Sequence, residues 1–285
     1  ATSVPAATAQ LRVSANTVVR QVGHPGPDDR SAASNIHVTM PERLRQAAWQ
    51  PEQAIPLIFA LLLNEESEVR NRQLDLVGTR YDAGTRNIVE TLARAVADLH
   101  PMQRLPLAAL AFPALRRRPR PQLSAFTEVL RALIDADGRV TLEEYCFATL
   151  IRLQVMDALN PAASHPTGRV KLPDVAVAIK DLLAILARYG HDDTASAERA
   201  YALGLQEVLP DAVIEFRPPA DWSSALDRTL PRLDLLAPAG KELVVRALTR
   251  SISADGIVSV AESELLRTVC AALHCPLPPL LADIN

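Results

Sequence analysis

The sequence predicts an all-α chain, a multi-helix bundle in which a layer of helical hairpins precedes two related hairpins. Three observations carry this. Leu, Ala, Arg and Glu, all good helix formers, dominate the 285 residues, while only 10 are Gly and β-branched runs are few. Apolar residues recur at helical spacing along most of the chain. One short pattern also occurs twice, as Arg131 to Glu144 and as Thr249 to Glu262. At an offset of 118 positions, Ile134, Ala136, Asp137, Gly138, Val140 and Glu144 fall on Ile252, Ala254, Asp255, Gly256, Val258 and Glu262. Each copy reads as helix, tight turn, helix.

Residues 1–30 are expected to be a poorly structured linker, because Ala, Thr, Ser and Val alternate there before the turn chemistry of His24-Pro-Gly-Pro-Asp-Asp. Residues 31–120 read as an N-terminal helical layer. It opens with a stripe of Ile36, Met40, Leu44 and Ala47 or Ala48 that is broken near Pro41. Pro51 then suits the first position of an apolar helix to Asn64. Further helices follow from Ser67 to Arg80, from Gly84 or Thr85 to Leu99, and from Met102 to Leu115. The basic cluster Arg116 to Arg120 sits at a helix C-terminus, where cations complement the macrodipole.

Residues 121–285 read as a second domain containing the repeat, at 121–157 and 238–274. Pro121 opens a helix with Phe126, Val129, Leu130 and Leu133 on its buried stripe, and Asp137-Gly138 ends it. Thr141 followed by Glu144 forms a capping box for the next helix, and Ser259 with Glu262 repeats it. Between the copies lie a loop from Asn160 to Leu172, an apolar helix from Pro173 to Tyr189, and another from Ala195 to Leu209. An irregular stretch, Pro210 to Pro219, precedes a helix from Trp222 to Leu235 with an expected break at Pro231.

The formal net charge of −3 gives no pull toward nucleic acid or an anionic surface. The three cysteines, Cys146, Cys270 and Cys275, suit a reducing compartment and supply no disulfide framework. Cys270 and Cys275 flank His274 at a spacing that fits no common zinc pattern, so they are expected to be buried or half-buried thiols. No window reaches the ~18 apolar residues of a spanning helix, so direct membrane insertion by this chain is not expected. The start at Ala1, without Met, fits processing or a longer parent protein.

The Asp-Gly turns invite comparison with a calcium loop. With Gly138 at the sixth position, Asp135, Asp137 and Glu144 fall at positions three, five and twelve. The first position is then the apolar Leu133, and in the second copy Ser251 and Ser253 stand where acids are needed. Asp135, Asp137, Glu144, Asp255 and Glu262 are thus the metal candidates, and the pattern falls short. Local structure explains the same residues. Gly138 and Gly256 take a positive-φ turn position, and Thr141 with Glu144, like Ser259 with Glu262, caps a helix. No His-Glu-x-x-His, Gly-rich phosphate loop or Gly-x-Ser-x-Gly elbow occurs, so neither catalytic nor cofactor-binding residues are expected.

The doubled Ala-Asp-Gly-x-Val-x-x-x-Glu pattern resembles the TerB-like helical repeats of tellurite-resistance proteins. The order of segments resembles the C-terminal cytosolic region of HtpX-like membrane zinc metallopeptidases. The resemblance rests on Val22-Gly-His-Pro-Gly-Pro27, Ile58-Phe-Ala-Leu-Leu-Leu63, Glu68-Val-Arg-Asn-Arg-Gln-Leu74, Arg104-Leu-Pro-Leu107, Leu133-Ile-Asp-Ala-Asp-Gly138 and Cys275-Pro-Leu-Pro-Pro-Leu280. It implies a non-catalytic accessory domain on the cytoplasmic side of the bacterial inner membrane, serving protein quality control. Its partners would be its own upstream peptidase and membrane portion and protein substrates or regulators, with zinc held in that catalytic portion. The alternatives are a free-standing TerB-like stress-response scaffold and a calcium-binding module.

Overall fold

The computed structural model describes residues 40–99, 101–159, 168–255 and 260–275. The described residues form twelve α-helices and no sheet, so the protein is all-α. The chain divides into two compact units near residue 161.

The first unit holds α1 (Glu42–Trp49), α2 (Pro51–Leu61), α3 (Ser67–Arg80), α4 (Ala83–Val96), α5 (Pro101–Leu115), α6 (Arg120–Ile134) and α7 (Leu142–Leu159). Every residue from Ala54 to Leu62 is buried. A helix apolar on all sides has to be enclosed, and α2 accordingly forms the axis around which its neighbours pack. The expected hairpin layer is therefore a bundle around one buried helix. Phe59 of α2 stacks on Phe126 of α6 with centroids 5.5 Å apart and meets Tyr81 edge-on at 5.5 Å. The expected domain boundary at residue 120 thus falls inside one core, because α6 supplies Phe126, Val129, Leu130 and Leu133 to the same cluster as α2.

Burial pushes the Tyr81 hydroxyl up to about 12, with the Arg118 guanidinium opposing that rise. The hydroxyl is buried without a hydrogen-bond partner. A phenol whose folded pKa is raised contributes stability below pH 10 that is lost as pH climbs toward 12. Tyr81→Phe is expected to flatten this alkaline loss and to leave neutral stability equal or higher, as measured by urea unfolding at pH 7, 10 and 11.

The second unit holds a 3₁₀ turn (Leu172–Val175) followed by α8 (Ala176–Gly190), α9 (Thr194–Val208), α10 (Trp222–Asp234), α11 (Pro238–Ile252) and α12 (Val260–Ala272). The apolar α8 is again central, packing on the four helices that follow it. Gly204 lets α9 lie close on α11, since a Cβ there would stand 3.0 Å from the Ala247 carbonyl oxygen. A parallel bridge joins Val170 to Leu236, with Val170 N–H donating to the Leu235 carbonyl at 3.0 Å. Pro231 lies inside α10 without ending it. A proline removes one N–H bond, and the burial of Leu230 and Leu233 on either side holds the helix through it.

Asp82, Asp193 and Asp221 cap α4, α9 and α10, each accepting from the backbone N–H three residues on, at 2.8, 2.8 and 3.1 Å. Hydrogen bonds hold all three carboxyls below the usual range, chiefly from the Thr85 N–H for Asp82 and the Ser196 and Ser224 hydroxyls for the others.

The internal repeat is longer than its turn. Helices α6 and α11 begin and end at the same offset, Arg120 to Pro238 and Ile134 to Ile252, and α7 and α12 start at Leu142 and Val260. The same offset carries Pro113 of α5 to Pro231 of α10. It also carries the buried residues Leu115, Leu130 and Ile151 to the buried Leu233, Leu248 and Val269. Each unit therefore closes with one copy of the same three-helix arrangement.

Candidate functional site

The first Asp-Gly turn is closed by its own groups. Gly138 has φ +70°, the conformation that favours glycine after a helix. Its N–H donates to the Asp135 carbonyl at 3.1 Å, while Asp137 Oδ1 accepts from the Arg139 N–H at 2.8 Å. Thr141 and Glu144 make the reciprocal bonds of a capping box. Glu144 Oε2 accepts from the Thr141 N–H at 3.0 Å and from its hydroxyl at 2.7 Å, and Thr141 Oγ1 accepts from the Glu144 N–H at 3.2 Å. The carboxylates of Asp137 and Glu144 thus serve turn and cap, and the side chain of Asp135 points outward at the helix end.

The second turn separates its candidates. Asp255 is exposed, whereas Glu262 is buried at 2% exposure against the end of α8. Gly256 and Ser259 lie outside the described residues. A Cβ at Gly190 would meet Glu262 Oε1 at 2.0 Å, so the carboxylate lies directly on the glycine backbone. Gly190→Ala forces Glu262 out of that position. It is expected to cost about 1–3 kcal/mol, read as a lower unfolding midpoint, and Glu262→Ala in the same chain should remove most of the added cost. Among the described residues no three His, Cys, Asp or Glu side chains are arranged to hold a metal ion.

Sequence reasoning missed two buried polar centres. In the first unit Gln73 of α3, 1% exposed, ties together the C-terminal ends of α2 and α6. Its Oε1 accepts from the Asn64 N–H at 2.8 Å, and its Nε2 donates to the carbonyls of Leu62 at 3.2 Å and Leu133 at 2.8 Å. Arg104 donates to the Leu61 carbonyl at the same end of α2, and Arg118 to the Pro51 carbonyl at the other. Arg118, one of the basic cluster, is thus a tether of α2 as well as a helix-end cation.

In the second unit Lys241, 6% exposed, donates to Asp234 Oδ1 at 2.6 Å and to the Leu273 carbonyl at 2.9 Å. His274 Nδ1 lies 3.0 Å from the same Asp234 oxygen. A salt bridge in so sheltered a place is held by its additional hydrogen bonds. The signal for both centres was a polar residue on a core register, Gln73 between Val69 and Val77, and Lys241 ahead of Val244 and Leu248.

The repeat shows what is particular to the Lys241 centre. In the first unit a small surface cleft is lined by Phe112, Leu115, Arg116, Leu123, Gln154 and Val155. At the 118-residue offset these are Leu230, Leu233, Asp234, Lys241, Ala272 and Leu273. The position held by Leu123 in one copy is held by the ion-paired Lys241 in the other.

The other histidine described, His191, is buried at the C-terminus of α8, with Nδ1 3.2 Å from the Ala187 carbonyl. It caps a helix and is not a surface residue. His24, His37, His100 and His165 lie outside the described residues.

The second unit exposes several large apolar side chains, Tyr189 and Leu235 near helix ends and three others, Val177, Val213 and Ile214. Val177 is 69% exposed, and Lys180 one turn on donates to the Val213 carbonyl at 3.4 Å. Val213 and Ile214, 75% and 49% exposed, lie on the non-helical stretch between α9 and α10, which Phe216 anchors against Tyr201. Comparisons of the chain with protein-family models, curated proteins and solved structures found no match. Among the described residues no helix is long and apolar enough to cross a membrane.

Proposed function

We propose that the chain is a non-catalytic interaction module of a bacterial membrane-bound zinc metallopeptidase, on the cytoplasmic face of the inner membrane. Its task is to present protein substrates or partners to the peptidase portion. The observation that supports an interaction role is the exposure of the apolar side chains of Val177, Val213 and Ile214. The link to a zinc peptidase rests on the resemblance of segment order and of the doubled Asp-Gly hairpin.

Two results test the reading. The reading frame upstream of Ala1 should encode apolar spans and a His-Glu-x-x-His motif; a frame with neither overturns the peptidase assignment. The upstream portion, co-expressed as a separate chain, should co-purify with this one, and Val177→Asp with Val213→Asp should weaken the association at least tenfold while leaving the thermal midpoint of the isolated chain unchanged. Undiminished co-purification of the double variant would remove that surface from the proposal.

A further inference from the structure

We propose that Cys270 and Cys275 are an oxidisable dithiol, a modification site whose disulfide locks the C-terminal cap of α12. The argument begins with the cap. Cys275 N–H donates to the Cys270 carbonyl at 2.8 Å, and between them His274 has φ +55°. A hydrogen bond across five positions, closed through a left-handed residue, is the Schellman ending of a helix. That ending sets the side chains of its first and last residues against each other, usually as an apolar contact. Here both are cysteines. A bond of this kind also brings the two Cα atoms within the roughly 4.4–6.8 Å over which a disulfide can close. Burial, and then the neighbouring Cys275, raise the Cys270 thiol far above the usual thiol range.

The pair is asymmetric. Cys270 is fully buried, while Cys275 is partly exposed. Cys275 is therefore the sulfur an oxidant meets and Cys270 the one that resolves it. With a hydroperoxide as oxidant, Cys275 Sγ attacks one oxygen and the O–O bond breaks. The departing oxygen takes the thiol proton, leaving Cys275 as a sulfenic acid and releasing water or an alcohol. Cys270 Sγ then attacks the Cys275 sulfur, the S–O bond breaks, and hydroxide leaves as water with the Cys270 proton. Two thiols lose two electrons and one peroxide gains them.

The surroundings set the rate. Burial raises the Cys275 thiol, the Lys241 ammonium of α11 opposes that rise, and the Asp234 carboxylate of α10 adds to it. His274 bridges to Asp234 from the cap itself. The reaction is therefore slow at neutral pH and faster as pH rises. Its product tightens the segment whose Leu273 carbonyl accepts from Lys241.

Both cysteines fall in one tryptic peptide, residues 268–285, and Cys146 falls in another, which makes the test direct. The full chain is treated with hydrogen peroxide at pH 7.0 and 8.5, alkylated and digested. The 268–285 peptide should lose two hydrogens and both alkylation sites, faster at the higher pH, while Cys146 stays alkylated. Dithiothreitol should reverse the change, and the oxidised chain should unfold a few degrees higher than the reduced one. Cys270→Ser should stop the reaction at a Cys275 sulfenic acid, trapped by dimedone. Accumulation of sulfenic or sulfinic acid at Cys275 in the wild-type chain, or a disulfide only between chains, would overturn the proposal. That result is read from the wild-type peptide and does not depend on the variant folding or on the peptidase assignment.

Discussion

Gln73→Ala is expected to lower the stability of the first unit by about 2–4 kcal/mol, the largest effect of any single polar substitution in that unit. The substitution removes three hydrogen bonds at once, strands the Leu62 carbonyl and the Asn64 N–H, and leaves the Leu133 carbonyl with only the Ala136 N–H at 3.4 Å. A buried group left unpaired costs about 1–3 kcal/mol, while a bond merely exchanged with water costs much less. Gln73→Glu separates the contributions. It keeps an acceptor for Asn64 but turns a carboxylate oxygen toward two carbonyls. The glutamate's folded pKa should therefore rise, and the variant should be weaker at pH 7 than at pH 4.5. Trp49 stands in the first unit and Trp222 in the second, so single-tryptophan variants report each transition separately. A loss below about 1 kcal/mol for Gln73→Ala, at unchanged urea slope, would mean that water replaces the side chain.

Lys241→Leu is the corresponding test of the second unit, with an expected loss of about 2–4 kcal/mol. The substitution copies the first unit, where Leu123 occupies the equivalent position. It leaves Asp234 with His274 alone and the Leu273 carbonyl with only the Cys275 thiol, 3.5 Å away. Breaking a buried pair from one side typically costs about 3–5 kcal/mol. The lower figure applies because the Asp234 side chain retains 18% of its exposure and keeps the imidazole. Lys241→Leu combined with Asp234→Asn removes the stranded charge and should recover about half of the loss. Simple additivity of the two substitutions would show that Lys241 acts by packing its methylenes and not by its charge.

Both centres also mark how far the amino-acid order could be read. The turn at Asp137-Gly138 was legible because it is local. A helix end, a residue free to take positive φ and a threonine three positions before a glutamate need no distant partner. The helices were legible for a similar reason, since a buried stripe repeats at 3.6 residues whatever it packs against. Gln73 and Lys241 were visible only as polar residues on apolar registers. Their partners lie as far away as Leu133 and Leu273, and no periodicity links positions 60 or 32 residues apart. Pro231 was misleading because the loss of one N–H bond is a local penalty, while the burial of Leu230 and Leu233 is a tertiary gain.

The division of the chain was the least legible feature. A boundary at residue 120 followed from prolines and a basic run, which are local signals of interruption. The observed boundary near 161 follows from where Phe126 finds Phe59, a contact between residues far apart in the chain. It reassigns the two Asp-Gly hairpins, which do not share one domain. Each closes its own unit, at an offset that also carries Pro113 to Pro231. By itself, then, the sequence determined the helices, their caps and the existence of a repeat, because these depend on spacing along one strand of chain. Only the tertiary structure decided which helices share a core, that Glu262 lies buried on Gly190 while Glu144 caps its own helix, and that a leucine in one copy is an ion-paired lysine in the other. Those outcomes depend on which surfaces meet, and burial turns a polar side chain into either a penalty or a tie according to what it meets there.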